Sequence, residues 1–190
     1  MNNIAKLGAT LFVICAVAAL ALGATNKVTA PIIEDRNIQA NNESRQMVLP
    51  DAKEFKKIDE SVFKDTSVKD LIEEIYEGTD GSNIVGYTVK TVPKGYGGKI
   101  ELIVGLSADG KVTGINIGSM SETPGLGSKA ADPAFKDQFV GKPTSELSLV
   151  KGSVSGEEQI QAISGATITS TAVTTGVNAA IEVYNSYLNK

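Results

Sequence analysis

Lys99–Gly118 reads KIELIVGLSADGKVTGINIG, and the fold is decided in this stretch. Ile100, Leu102, Val104 and Leu106 take every second position, with Glu101 and Gly105 among the positions between. Side chains alternate faces along a strand, so this spacing predicts a strand over Lys99–Ser107 with one apolar face. Ala108-Asp109-Gly110 follows, and Asp-Gly tolerates the positive φ of a tight hairpin. Lys111–Gly118 is then the returning strand, and Ile84–Val92 forms another upstream. Twelve of the 19 glycines lie within residues 78–127, marking frequent turns and close backbone approaches.

Outward from these strands the period changes. Val68, Leu71, Ile72 and Ile75 keep helical spacing within Ser67–Glu77, yet the β-rich stretch starts directly afterwards, so that segment is ambiguous. Asp132-Pro133 supplies an N-cap and first-turn pair for a short helix carrying Phe135 and Phe139 at i, i+4. Leu147–Lys151 and Gln159–Ile163 predict short strands. From about Ile168 to Leu188, Val173, Val177, Ala180, Ile181, Tyr184 and Leu188 hold the 3.6-residue period of a long helix. Residues 28–66 are polar, with Pro31 and Pro50, and predict helical segments in which Val48, Ala52 and Phe55 share a face. The expected class is α+β, a twisted antiparallel sheet with packed helices. The expected organisation is an anchor at 1–27, a helical connecting segment at 28–66 and a globular domain at 67–190.

The anchor is Leu7–Asn26, twenty residues without a charge. At ~1.5 Å per residue such a helix spans roughly 30 Å, the thickness of a bilayer core. A cleaved signal peptide, with a site near Ala21 or Ala30, is the alternative, although its apolar core is normally only ~7–15 residues. Ile14 stands before Cys15 where a lipoprotein signal needs a small residue, which leaves Cys15 as apolar filler. Lys6 precedes the span but Lys27 and Arg36 follow it, so the positive-inside rule is weak here. A short basic head before a single span favours a C-terminal domain outside the cytoplasm. The lack of cysteine beyond the span is compatible with that compartment.

Composition removes several chemistries. With no histidine and one cysteine there is no Ser-His-Asp triad, no His-ligated metal or haem, no intramolecular disulfide and no cysteine-held iron–sulfur cluster. A net charge of −4 argues against a nucleic-acid partner. Redox or group-transfer chemistry would have to come from a cofactor.

One junction is suited to hold one. Ile163-Ser164-Gly165-Ala166-Thr167-Ile168-Thr169-Ser170 runs from a strand through small residues into the last helix. Unbonded amides and the dipole at a helix start favour a phosphate, and the hydroxyls of Ser164, Thr167, Thr169 and Ser170 add donors. The lysine of a nucleotide-hydrolysing phosphate loop is absent. A plain N-cap gives the same residues, because Ser and Thr crowd helix starts for capping alone.

Ser164-Gly165-Ala166-Thr167 resembles the flavinylation motif of the FMN-binding domain family, D-x-x-[ST]-G-A-T, with Gln161 at the position of the Asp. The resemblance implies FMN joined through its phosphate to the Thr167 hydroxyl by an extracytoplasmic FAD-dependent flavin transferase. GYGGKIELIVGLSADGKVTGI (95–115) and SETPGLGSK (121–129), followed by Phe135, Phe139 and Gly141-Lys142, are similar to the G subunits of Rnf complexes. Those are membrane ferredoxin:NAD oxidoreductases that couple electron flow to Na+ or H+ translocation. The implied function is an electron-transfer subunit with covalent FMN, at the cell membrane, partnered by the other subunits of the complex, with no complete catalytic activity of its own. The C subunit of the Na+-translocating NADH:quinone reductase shares the plan but is usually longer. A membrane-anchored, non-redox binding or assembly module is the reading from another class. Within the implied site, Ser164, Gly165, Ala166, Thr167 and Thr169 take the phosphate. Glu122, Thr123, Pro124, Gly125, Leu126 and Gly127, with Tyr96, Gly97 and Gly98, take the ring. Glu122 as a solvated charge and Tyr96 as an ordinary rim aromatic remain open.

Overall fold

The computed structural model describes residues 3–64 and 66–188. Residues 1–2 of the expected anchor, 65 of the connecting segment and 189–190 of the expected domain lie outside them. Contacts divide the chain into two units, Met1–Asn41 and Asn42–Lys190.

The first unit is helical throughout its described length, being the larger part of α1 (Asn3–Val48), with Pro31 inside the helix. Its apolar side chains, among them Leu11, Phe12, Val17 and Leu20, face outward. Among the described residues α1 is the one helix long and apolar enough to cross a membrane.

The second unit is built on five strands in the order of the chain: β1 (Glu54–Lys57), β2 (Ile72–Thr79), β3 (Ile84–Thr91), β4 (Leu102–Ser107) and β5 (Val112–Ile117). Each pairs antiparallel with the next. The hairpin at 108–110 is present, with Gly110 at φ +83° and its N–H donating to the Ser107 carbonyl at 3.1 Å. The expected β4 and β5 spans are shortened by a few residues at their ends. The ambiguous segment resolves into one 3-10 turn (Lys69–Leu71) and the strand β2.

The stretch 49–66 departs from its helical expectation. It holds the strand β1 and a 3-10 turn (Glu60–Val62). Pro50, just past Val48, cannot donate the bond that would continue the helix. The expected helical face of Val48, Ala52 and Phe55 does not form: the helix ends at Val48, Ala52 follows it outside the helix and Phe55 lies in the strand, although Val48 and Ala52 are both buried.

After the sheet come α2 (Pro133–Lys136), a 3-10 turn (Asp137–Phe139), and β6 (Ser148–Val150) with β7 (Gln159–Gln161). Asp132 is the N-cap of α2, and the Phe135 and Phe139 rings meet edge-on at 5.5 Å. β6 and β7 pair parallel as a separate small sheet. Then α3 runs Thr167–Val183, closed by a π turn over Tyr184–Leu188.

α3 covers one face of the main sheet. Val173, Val177, Ile181 and Tyr184 are buried with Val89, Leu102, Val104 and Leu106. Gly176 permits the close approach: a Cβ there would stand 2.8 Å from Thr91 Oγ1 and 2.9 Å from Leu102. The opposite face is floored by Gly78, Gly86, Gly105 and Gly114 on four successive strands. A Cβ at any of them would meet Val48 or Leu49.

Candidate functional site

Thr167 opens α3 directly after the turn Ser164-Gly165-Ala166. Gly165 sits at φ +78°, a left-handed conformation that glycine adopts without a steric penalty, and this turns the chain from β7 into the helix. The N-cap is Ala166, and no side chain caps the helix. The Ser170 N–H donates to the Ala166 carbonyl at 3.0 Å. The amides of Thr167, Ile168 and Thr169 therefore precede the helix's own ladder, and no acidic residue occupies the first turn.

The hydroxyls of this run divide by role. Ser170 Oγ is buried, donates to the Ala166 carbonyl at 2.9 Å and accepts the Ile163 N–H at 3.0 Å, which fixes the turn. Thr169, 2% exposed, donates to Glu122 Oε2 at 2.5 Å. Ser164 and Thr167 are exposed, and among the described residues neither hydroxyl has a hydrogen-bond partner. Simple capping does not account for the run, since none of its hydroxyls caps.

A cavity of about 590 Å³ opens beside Thr167, lined by Tyr96, Glu122, Thr123, Leu126, Gly127 and residues 165–169. That volume lies in the ordinary range for cofactor sites, roughly 300–1,000 Å³. Tyr96, Leu126 and Ile168 are exposed apolar side chains at its rim. Ile168 was no part of the expected site. Its signal was an apolar residue out of phase with Val173 and Val177 in an otherwise well-phased helix.

Glu122 joins the walls together. It is 8% exposed, Oε1 accepts the Gly97 N–H at 3.0 Å, and Oε2 accepts the Thr169 hydroxyl. The solvated-charge reading of Glu122 is therefore set aside. A Cβ at Gly95 would stand 2.4 Å from Oε1, and one at Gly127 2.5 Å from Oε2. At Gly97 a Cβ would stand 1.9 Å from the Ser121 carbonyl oxygen. The loop itself is closed by the Gly125 N–H on Ser128 Oγ (2.9 Å) and by the Leu126 and Ser128 amides on the Thr123 carbonyl. Gly98 and Gly125 have positive φ and open space around them.

Of the expected residues, the fold brings Tyr96, Glu122, Thr123, Leu126, Gly127, Gly165, Ala166, Thr167 and Thr169 to one cavity. Ser164, Pro124, Gly97, Gly98 and Gly125 are outside its lining. A groove of about 290 Å³ shares Thr167 and Ile168 and adds Leu71, Pro93, Lys94, Thr171, Ala172 and Thr175. No cluster of metal-ligating side chains occurs among the described residues. Free amides, an exposed hydroxyl and apolar rim side chains suit a ligand with one phosphate and one flat apolar ring.

Residues 95–182 match the FMN-binding domain family. The chain is 48% identical over 190 residues to the G subunit of the Na(+)-translocating ferredoxin:NAD(+) oxidoreductase complex of Acetobacterium woodii, covering 95% of this chain and 91% of that one. It is 35% identical over 186 residues to the G subunit of the proton-translocating ferredoxin:NAD(+) oxidoreductase complex of Clostridium ljungdahlii, covering 98% and 94%. The crystal structure of Shewanella oneidensis NqrC aligns with a TM-score of 0.49 at 23% identity, over 74% of this chain and 67% of that one. With near full-length identity to such subunits, and with the FMN-binding domain match spanning both cavity loops and the start of α3, the chain belongs to the family of G subunits of Rnf-type ion-translocating oxidoreductase complexes.

Proposed function

We propose that this chain is the flavin-carrying electron-transfer subunit of a membrane ferredoxin:NAD oxidoreductase that translocates Na+ or H+, with FMN held as a phosphodiester on Thr167. The observation that carries the reading is the Thr167 hydroxyl, exposed at the start of α3, without a hydrogen-bond partner among the described residues, and on the wall of the 590 Å³ cavity. FMN, when bound, supplies the electron-carrying chemistry that no side chain in this sequence offers. The amides of Thr167, Ile168 and Thr169 meet the phosphate, with Ser164 and Gly165 shaping the turn beneath it. Tyr96, Leu126 and Ile168 offer apolar surface to the ring, and Thr123 and the 122–127 backbone offer polar groups to its edge.

Thr167 has no basic side chain bonded to it among the described residues, so attachment calls for an external enzyme. An FAD-dependent flavin transferase fits the chemistry. Thr167 Oγ forms the new bond to phosphorus, the diphosphate bond of FAD breaks, AMP leaves, and the transferase takes the hydroxyl proton. We further place the domain outside the cytoplasm, on α1 as a single-pass anchor, with the other subunits of the complex as partners.

Thr167→Ala is expected to remove the in-gel flavin fluorescence and the FMN mass increment completely, while the melting temperature stays close to that of the parent. A fluorescent band from denatured Thr167→Ala sinks the assignment. For orientation, protease added to intact spheroplasts is expected to digest the domain; protection until lysis reverses it.

A further inference from the structure

We propose that Glu122, fixed in the wall of the flavin cavity by Gly97 and Thr169, presents its carboxylate to the bound flavin and lowers its reduction potential. The inference rests on the FMN reading above and adds to it a group that sets the energy of the electron rather than the place of the cofactor.

Glu122 is buried, yet both its oxygens receive donors: the Gly97 N–H at 3.0 Å and the Thr169 hydroxyl at 2.5 Å. A carboxylate offers about four acceptor positions, of which these contacts use two. Among the described residues no lysine or arginine forms an ion pair with it. The ion pairs among the described residues join Arg45 and Lys57 to Glu74, and Lys90 to Glu73 and Glu101. The seat is shaped for this carboxylate, because side chains at Gly95 and Gly127 would strike its two oxygens. Glu122 also lines the cavity.

An electron delivered to the ring adds a negative charge unless a proton accompanies it. A neighbouring anion in a partly desolvated wall opposes that charge, as it would oppose ionisation of a second carboxyl group. Electron uptake is thereby made harder and electron release easier. A structural staple alone would leave the potential unaffected.

The test uses the flavinylated full-length protein, titrated with dithionite and mediator dyes while flavin absorbance is followed. Glu122→Gln keeps the size of the side chain and an oxygen for the Gly97 N–H, and removes the charge. Its potential is expected to shift to more positive values, with covalent flavin content and melting temperature close to the parent's. An unchanged or more negative potential in fully flavinylated Glu122→Gln overturns the proposal. If Glu122→Gln fails to fold, Thr123→Lys, at an exposed position of the same cavity lining, adds an opposing cation to the wall. It must also shift the potential positively, and an unchanged value is again a refutation. The intact mass of the parent is read first. A parent without the FMN increment overturns the FMN reading itself, and this proposal with it.

Discussion

Gly125 and Gly127 stand two residues apart in one loop, and substitution meets a different obstacle at each. At Gly125 there is open space but φ is +75°, so the cost of a side chain is backbone strain, about 1–2 kcal/mol. Asn populates this region far more readily than a β-branched residue. Gly125→Asn is therefore expected to melt close to the parent and Gly125→Val several degrees lower, and equal melting temperatures would contradict this. At Gly127, φ is ordinary and the obstacle is the Glu122–Thr169 pair, 2.5–2.6 Å from a new Cβ. Gly127→Ala should cost about 1–3 kcal/mol by overpacking and loosen that hydrogen bond. The sequence signals the richness of this loop in glycine but not which obstacle applies. That depends on a carboxylate five residues back and a hydroxyl 47 residues from it, whose positions only the closed fold defines. The same reason hides the role of Glu122, whose donors come from two other segments.

Period was the readable quantity at the scale of elements. Alternation identified β4 and the 3.6-residue repeat identified α3, because both report burial on one face of a long element, and the Asp109-Gly110 turn placed β5 after β4. Glu54–Lys57 carried no such signal: EFKK is a short edge strand whose place comes from pairing with β2 at Tyr76–Thr79. The parallel pairing of β6 with β7 is likewise tertiary. The contact between β3 and the π turn after α3 gives a pH prediction. Tyr87 and Tyr184 meet edge-on at 6.1 Å, and burial pushes both phenols above their ordinary value near 10. Folding thus favours the neutral forms. Their contribution is complete below pH ~10 and is lost as pH rises through the folded values. Tyr184→Phe removes one of these groups and the bond from its hydroxyl to the Ala108 carbonyl (3.1 Å). It should cost about 1 kcal/mol at pH 7 and lose less than the parent between pH 9 and 11. Parallel curves of melting temperature against pH would rule this out.

For the molecule as a whole, the question is where the folded domain begins. Sequence patterning suggests 67, where the β-rich composition sets in, but the contacts of the second unit start near residue 42. Arg45, 3% exposed, binds Glu74 at 2.8 Å and lies over the Tyr76 ring at 3.7 Å. Ser44 Oγ accepts from Asn116 Nδ2, and the Thr113 hydroxyl donates to the Val48 carbonyl. Val48 and Leu49 rest on the glycine-floored face of the sheet, where Gly105 leaves no room for a Cβ beside the Val48 carbonyl. The apolar positions Val48 and Ala52 in this polar stretch hinted at a packed face but not at what receives it, since the glycines that do so lie on strands far along the chain. Burying Val48 and Leu49 contributes about 1.5–3 kcal/mol each. The Arg45 ion pair and its contact with Tyr76 add about 2–4 kcal/mol. Their sum is comparable with the whole stability of a small domain, about 5–15 kcal/mol. A fragment of residues 42–190 is therefore expected to be soluble and to unfold cooperatively in urea. One of residues 53–190 should lose most of that midpoint and expose apolar surface, and one of residues 67–190, lacking β1 as well, should not fold. If 53–190 unfolds at the same urea concentration as 42–190, the end of α1 is only a tether and the sheet stands without it.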